Sequence, residues 1–386
     1  MSESGQNPFD LSNMGAMLQQ LGAMLQRAET VPEGQLDWDG AKQTARATIA
    51  QHADPSVVSA EHERVRAAAE LANLWLDAIT DFAAPTTRSA AWCKSEWLES
   101  TFPAWTRLLN PVATAMMKSV AATTQAQASE MPEELAAMLK PMLALTGRMS
   151  SMMVGQQIGQ ALGTLAQEAW SASDIGLPLS PDGTLALVTA NTEAFAAAHE
   201  LALRDVETYL AVREAALLRL FHAAPWVAPR IADALAEYAS SVKVDTERLQ
   251  ELVGDLDLAN PMALGDAMQR GALELPMTPG STAATARVEL LLTLIEGWVD
   301  HVSELAIAGR VGNAPAIREA LHRRRVTGGP SERAFGQLLG LELRPRKLRE
   351  ASVWWSTVPE ERRDAVWQHP DFLPDLEDLE APFQGE

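Results

Sequence analysis

Arg213, Glu214 and Leu217 stand in the stretch VREAALLRLFHAAPW, Val212 to Trp226. Residues four apart share a helix face. Two imidazoles at that spacing, with a carboxylate after the first, would bind zinc and activate a water for attack on a carbonyl. Here those places hold a guanidinium, a carboxylate and an isobutyl group. A guanidinium keeps its proton and leucine has no donor atom, so neither can ligate a metal. About eighty residues later IEGWVDHV brings Glu296, Asp300 and His301 into one short segment.

The elements that must position these residues are two helices. The first is predicted from an Asp205 N-cap to about Phe221, with Val206, Leu210, Arg213, Leu217 and Leu220 on one face and Glu214 at its edge. The second runs through ARVELLLTLIEGWVDHVSELAI. Its buried face is Val288, Leu291, Leu292, Ile295, Val299 and Val302, with Glu296 at the flank. A charge inside an apolar stripe is costly unless paired, so Arg213 is expected to pair with Glu214 or Glu296 as a structural ion pair. Asp300 and His301 read as a solvated helix face. The competing reading joins them to Glu214 and Glu296 as an atypical metal site. His222 lies about 12 Å along the helix from Glu214, too far to serve the same ion.

Composition sets the class. The chain has 386 residues, 47% of them hydrophobic, dominated by helix formers, and this predicts a mainly α protein with little or no β structure. A net charge of -20 argues against nucleic acid and anionic membrane as partners. The basic clusters LHRRRVTGG and LRPRKLREA are expected to pair with acidic surface instead. No window is apolar enough to span a membrane, and MSESGQNPFD lacks the features of a secretory signal. The single Cys93 cannot make an internal disulfide and reads as a structural thiol. The expected location is the cytoplasm.

Along the chain, residues 1–36 form an amphipathic arm with Leu11, Met14, Leu18, Leu21 and Leu25 on a stripe that must dock on the body or on a partner. Residues 37–365 form one helical domain, and 366–386 an acidic tail. Ser59 is the expected N-cap of SAEHERVRAAAELANLWLDAIT. The helical region SAAWCKSEWLESTFPAWTRLLNPVATAMMKSV should break near Pro103 and Pro111. Gly155, Gly159 and Gly163 recur every four residues, which predicts close contact between helices. The segment around the apolar run Leu185 to Val188 is the best candidate for irregular or strand structure, and Trp354 with Trp355 should lie in the core or at a subunit interface.

Several segments together resemble a known family: VETYLAVREAALLRLF with its following APW, IEGWVDHV, LDWDGAKQTAR, VGQQIGQALG, DIGLPLSPDG, RVTGGPSERAFGQLLGLELRPRKLREA and WQHPDFLPDLEDL. They resemble a zincin-like metallopeptidase family found mainly in actinobacteria, over roughly Trp38 to Pro374. The chain is similar to the branch usually named hydrolase or zinc-dependent metalloprotease, sister to one associated with coenzyme F420 biosynthesis. In the peptidase-like members one helix reads His-Glu-x-x-His and a later one Glu-Gly-His-Ala. The resemblance implies that Arg213 and Leu217 stand where the imidazole ligands would be. It also implies that Glu214 keeps the place of the general base, that Glu296 keeps the later acidic place, and that Trp298 replaces the following His.

These readings lead to a catalytically degenerate metallopeptidase homologue. It would need no cofactor and would bind a protein or peptide partner, or a ligand, in a cleft that includes Arg213, Glu296, Asp300 and His301. Two alternatives stand beside it. One is a working hydrolase that holds zinc through atypical ligands. The other is a helical assembly protein that forms homo-oligomers through its N-terminal arm.

Overall fold

The structure, a computed structural model, describes residues 35–86, 88–129, 133–173, 175–241, 281–326, 348–375 and 377–383, together with Gly329, Arg333 and Gly336. Nearly all of the arm expected over 1–36 and most of LRPRKLREA lie outside these residues. The described elements, in order, are α1 (Trp38–Ile49), α2 (Ser59–Leu76), β1 (Ser89–Trp92), α3 (Lys94–Ser129), α4 (Glu133–Ala166), β2 (Leu185–Val188) and α5 (Thr189–Ala198). Then follow α6 (Leu203–Ala223), α7 (Val227–Ser241), α8 (Thr282–Ile307), α9 (Ala314–Val326), α10 (Leu348–Thr357) and α11 (Glu360–Arg363). The protein is mainly α, as its composition implies. None of the described helices is long and apolar enough to cross a membrane.

α6 is the centre. Every residue from Val206 to Leu220 is buried, so the helix is enclosed on all sides rather than along one stripe. α2 packs against it on one flank and α8 on another, while α7 joins α8 to α3. α8 is likewise enclosed from Thr293 to Asp300. Gly297 lets α10 approach it, because a β-carbon there would fall 2.8 Å from Ala351 Cβ. Trp355 donates its indole N–H to the Leu294 carbonyl across the same contact at 3.0 Å, and both Trp354 and Trp355 are core residues.

The glycine stripe makes the predicted close contact. α4 lies on α1, and β-carbons at Gly155 and Gly163 would come within 2.8 and 2.9 Å of the Asp37 and Ala45 carbonyl oxygens. One at Gly159 would press harder still on the Ala41 carbonyl.

Leu185–Val188 is a strand, as its apolar run suggests, paired in parallel with Ser89–Trp92 in register from Ser89↔Leu185 to Trp92↔Val188. Sequence periodicity assigns that partner to a helical region, because SAAW has no strand character without β2 beside it. α3 also runs unbroken through Pro103 and Pro111. Burial of Trp97, Leu98, Trp105 and Leu109 along it outweighs a cost of about 3 kcal/mol for each interior proline. Two expected caps move outward. α2 starts at Ser59 itself, with Glu61 accepting from the Val58 N–H at 2.7 Å, and α6 starts at Leu203 with Asp205 in its first turn. In the C-terminal segment Val366, Trp367 and Leu379 are buried, and the Phe383 N–H donates to Thr357 Oγ at 2.9 Å.

The α1–α4 contact yields a paired test. Gly159→Ala gains helix propensity yet should lower stability by about 1–3 kcal/mol through overpacking. Gly147 has nothing within 4 Å of its would-be β-carbon, so Gly147→Ala should be neutral or stabilising by up to about 1 kcal/mol. Urea unfolding midpoints measure both, and a Gly159→Ala protein as stable as wild type would contradict the contact.

Candidate functional site

Adjacent residues on a helix point about 100° apart, and Arg213 and Glu214 accordingly face different neighbours. The Arg213 guanidinium, 7% exposed, reaches α8, where it donates to Glu296 and lies 3.4 Å from Asp300 Oδ1. The pairing expected at Arg213 is therefore made with Glu296 and extended to Asp300. The three side chains are buried together, and the Glu296 charge holds Arg213 protonated beyond its usual range despite the opposing cost of burial.

Glu214 turns toward the segment after α4. It accepts from Ser171 Oγ at 2.7 Å and from the Ser173 backbone N–H at 3.1 Å. That segment is pinned along β2: Ser171 bridges Leu187, the Ala172 N–H donates to the Ala186 carbonyl, and the Val188 N–H donates to the Trp170 carbonyl. The small sheet thus places a hydroxyl and a backbone donor against the carboxylate of α6. Both Ser residues are absent from the sequence prediction, and only a prior placement of β2 would have found them.

Asp300 corrects an expectation. It is 1% exposed rather than on a solvated face, and it joins several donors. Arg318 Nη2 donates to its Oδ2 at 2.6 Å, Ser352 Oγ to the same oxygen at 3.1 Å, and His322 Nε2 lies 3.3 Å from Oδ1. These contacts, with Arg213 and Arg318 as the charges, hold its carboxyl far below the usual carboxylate range against the cost of burial. Arg318 and His322 are four apart on α9, one helix face, and that spacing was the signal available in the sequence.

His301 is partly buried, again not a fully solvated residue. Burial lowers its pKa to about 4, assisted by the Arg363 charge. Leu217 and Trp298 are core residues, and Phe82 packs on the Trp298 ring with centroids 5.5 Å apart.

Arg213, Glu296, Asp300 and His301 do not line the cleft described below. Arg213, Glu296 and Asp300 form a buried ion cluster, and the open space lies in front of it. That cleft, about 850 Å³, is walled by Tyr209, Glu304, Arg310, Arg318, His322 and Ser352, among others. Three of those, Arg318, His322 and Ser352, are the residues that hold Asp300 from the front.

The residues present do not fit zinc. Position 213 holds a protonated guanidinium and 217 an alkyl group, and the Glu296 and Asp300 carboxylates are engaged by arginine. Glu214 is turned to the β2 side. Among the described residues no three His, Cys, Asp or Glu side chains converge as metal donors. Cys93 does not help: burial pushes its thiol pKa up, and Asp54 and Glu96 add to the shift. Two basic residues of α9 pair with acidic groups as expected, Arg323 with Glu319 and Arg324 with Glu168.

Comparison with known proteins agrees with this architecture. A family model described as zincin-like metallopeptidase matches residues 36–384. A solved structure from Chloroflexus aurantiacus, described as a "putative hydrolase with a novel fold", superposes with a TM-score of 0.61 at 19% identity, covering 89% of this chain and 95% of that one. No curated protein matches the sequence.

Two measurements test the cluster. Arg213→Ala should cost about 3–5 kcal/mol, because it strips a buried carboxylate of its partner, whereas Arg213→Met combined with Glu296→Leu should cost clearly less. A loss below about 0.5 kcal/mol for Arg213→Ala, the scale of a surface site, would refute the buried pair.

The second measurement follows pH. His301 has a folded pKa near 4 against an ordinary 6.5, so in that window the unfolded chain binds the extra proton. Stability should fall as pH drops through the window, and less so in His301→Gln. The Asp300 contribution is lost only below 3.8, its ordinary value. Identical pH profiles for wild type and His301→Gln between 6.5 and 4 would exclude this role of His301.

Proposed function

Because the chain belongs to the zincin-like metallopeptidase family, we propose that it is a catalytically degenerate member that acts by binding rather than by hydrolysis. One observation carries the reading: the positive charge beside Glu296 is the Arg213 guanidinium, at positions that the family resemblance implies for metal binding. A guanidinium can neutralise carboxylates, but it offers no open coordination position and generates no hydroxide. Glu214, at the place of the general base, accepts hydrogen bonds from Ser171 and Ser173, a structural use of the carboxylate.

The binding role falls to the cleft in front of the ion cluster. Its volume, about 850 Å³, is in the range of small-ligand and peptide sites. We place the protein in the cytoplasm, with a protein, peptide or small-molecule ligand and without nucleic acid or membrane; the net charge of -20 supports the last two exclusions.

The retained Glu214 and Glu296 are what a working metallohydrolase with atypical ligands would rest on. Metal content separates the two readings. Protein purified without a His tag or chelator, then offered zinc and desalted, should carry well under one zinc per chain by inductively coupled plasma mass spectrometry. Near-stoichiometric zinc that disappears in Glu214→Ala or Glu296→Ala would overturn the degenerate reading in favour of the metal-dependent one and call for a peptidase screen.

A further inference from the structure

The cleft in front of Asp300 carries an imbalance of donors over acceptors. Of its two lining glutamates, Glu319 is paired outward with Arg323 at 2.7 Å, and Glu304 lies 2.9 Å from Arg318 Nη1. Arg310 also lines it, and its guanidinium finds only the Ala306 carbonyl and the face of the Trp75 ring, with no carboxylate partner among the described residues. Tyr209, in the same wall and 2% exposed, has a hydroxyl with no hydrogen-bond partner among them. A buried hydroxyl left unpaired costs about 1–3 kcal/mol, so it marks a place where a partner belongs. The wall thus holds an exposed cation without a carboxylate partner and a buried hydroxyl able to donate.

Arg318 shows how a ligand would sit. Its inner edge is held by Asp300, which is itself fixed by Arg213, Ser352 and His322, while its outer nitrogen carries Glu304. Asp300 is 1% exposed, so that partner cannot leave; Glu304 is 52% exposed, so it can. Tyr209 lines the same cleft as Arg318 and Glu304.

We propose that this cleft binds a small oxyanion, a carboxylate or phosphate, on Arg318 and Arg310 with the Tyr209 hydroxyl as a further donor, and that Glu304 is a built-in competitor which the ligand displaces. The assignment rests on the binding reading above and names its ligand chemistry. It is local, since the chain as a whole is acidic and repels anions. The buried ion cluster then acts as the support that keeps Arg318 aimed into the cleft.

Tyr209 is also the reporter. The chain has two tyrosines, Tyr209 and Tyr238, so protein labelled with 3-fluorotyrosine gives two fluorine NMR signals, assigned with Tyr209→Phe. Succinate and inorganic phosphate are titrated separately at constant ionic strength, with chloride as the control. The expected result is a saturable shift of the Tyr209 signal alone. Glu304→Gln should tighten binding about two- to fivefold, the worth of an exposed ion pair, and Arg310→Gln should weaken it. A response to succinate alone identifies the ligand group as carboxylate, and one to phosphate alone as phosphoryl. No response to either anion in wild type or Glu304→Gln, or an equal response to chloride, overturns the proposal. Zinc is measured on the same samples: zinc-free protein that ignores both anions refutes this inference only, whereas bound zinc refutes the degenerate reading.

Discussion

Burying charge is what the rest of this fold is arranged around. α6 is enclosed from Val206 to Leu220, yet that span includes Glu207, Arg213, Glu214 and Arg219. An uncompensated charge in such a place costs several kcal/mol, so each must meet a partner delivered by another element. Glu207 receives Arg64 of α2 at 3.2 Å, Arg213 receives α8, and Glu214 receives Ser171 and Ser173. Arg219, 1% exposed, donates to the Phe82 and Asn73 carbonyls and to Asp77 at 2.6 Å. Arg213 and Arg219 project about 120° apart around the helix axis. α8 and the end of α2 therefore take different flanks of α6, and the small sheet supplies the Ser171 segment. The packing order of the core is, to a large extent, a pairing scheme for these four side chains.

The same logic connects core to surface. Asp300 receives Arg213 from within and Arg318, Ser352 and His322 from the cleft side. α9 and α10 supply the outer partners, and α10 stays close because Gly297 leaves room for Ala351 and Trp355. Low local dielectric strengthens each link and raises the cost of losing any one. A disturbance at Arg318 is therefore transmitted to Asp300 and Arg213 rather than lost in solvent.

Much of the architecture was legible in the letters, and the parts that were not have a common cause. Helix content, the glycine contact, the β2 run and the need of Arg213 for a carboxylate follow from local composition, period and spacing, although the choice of Glu296 over Glu214 does not. β1, the unbroken α3 and the buried face of Asp300 depend on partners distant in sequence. SAAW is a strand only beside LALV, Pro103 and Pro111 are tolerated only under heavy burial, and Asp300 is inside only because α9 and α10 cover it. Amphipathic reasoning assumes that a helix has a wet side. α6 and the middle of α8 have none, so a face assigned to water turned out to hold the hub of the ion cluster.

The residues at 213 and 217 make physical sense only together with their surroundings. Two buried carboxylates, Glu296 and Asp300, require two positive charges nearby. A divalent ion would supply them at one point; Arg213 and Arg318 supply them as two guanidinium groups. Leu217, one turn along α6 from Arg213, fills the neighbouring space as core at 2% exposure. The balance is thus met by side chains, and the same pairing fixes the orientation of α6 against α8. A cluster arranged in this way links α6, α8 and α9 through two carboxylates and two guanidinium groups.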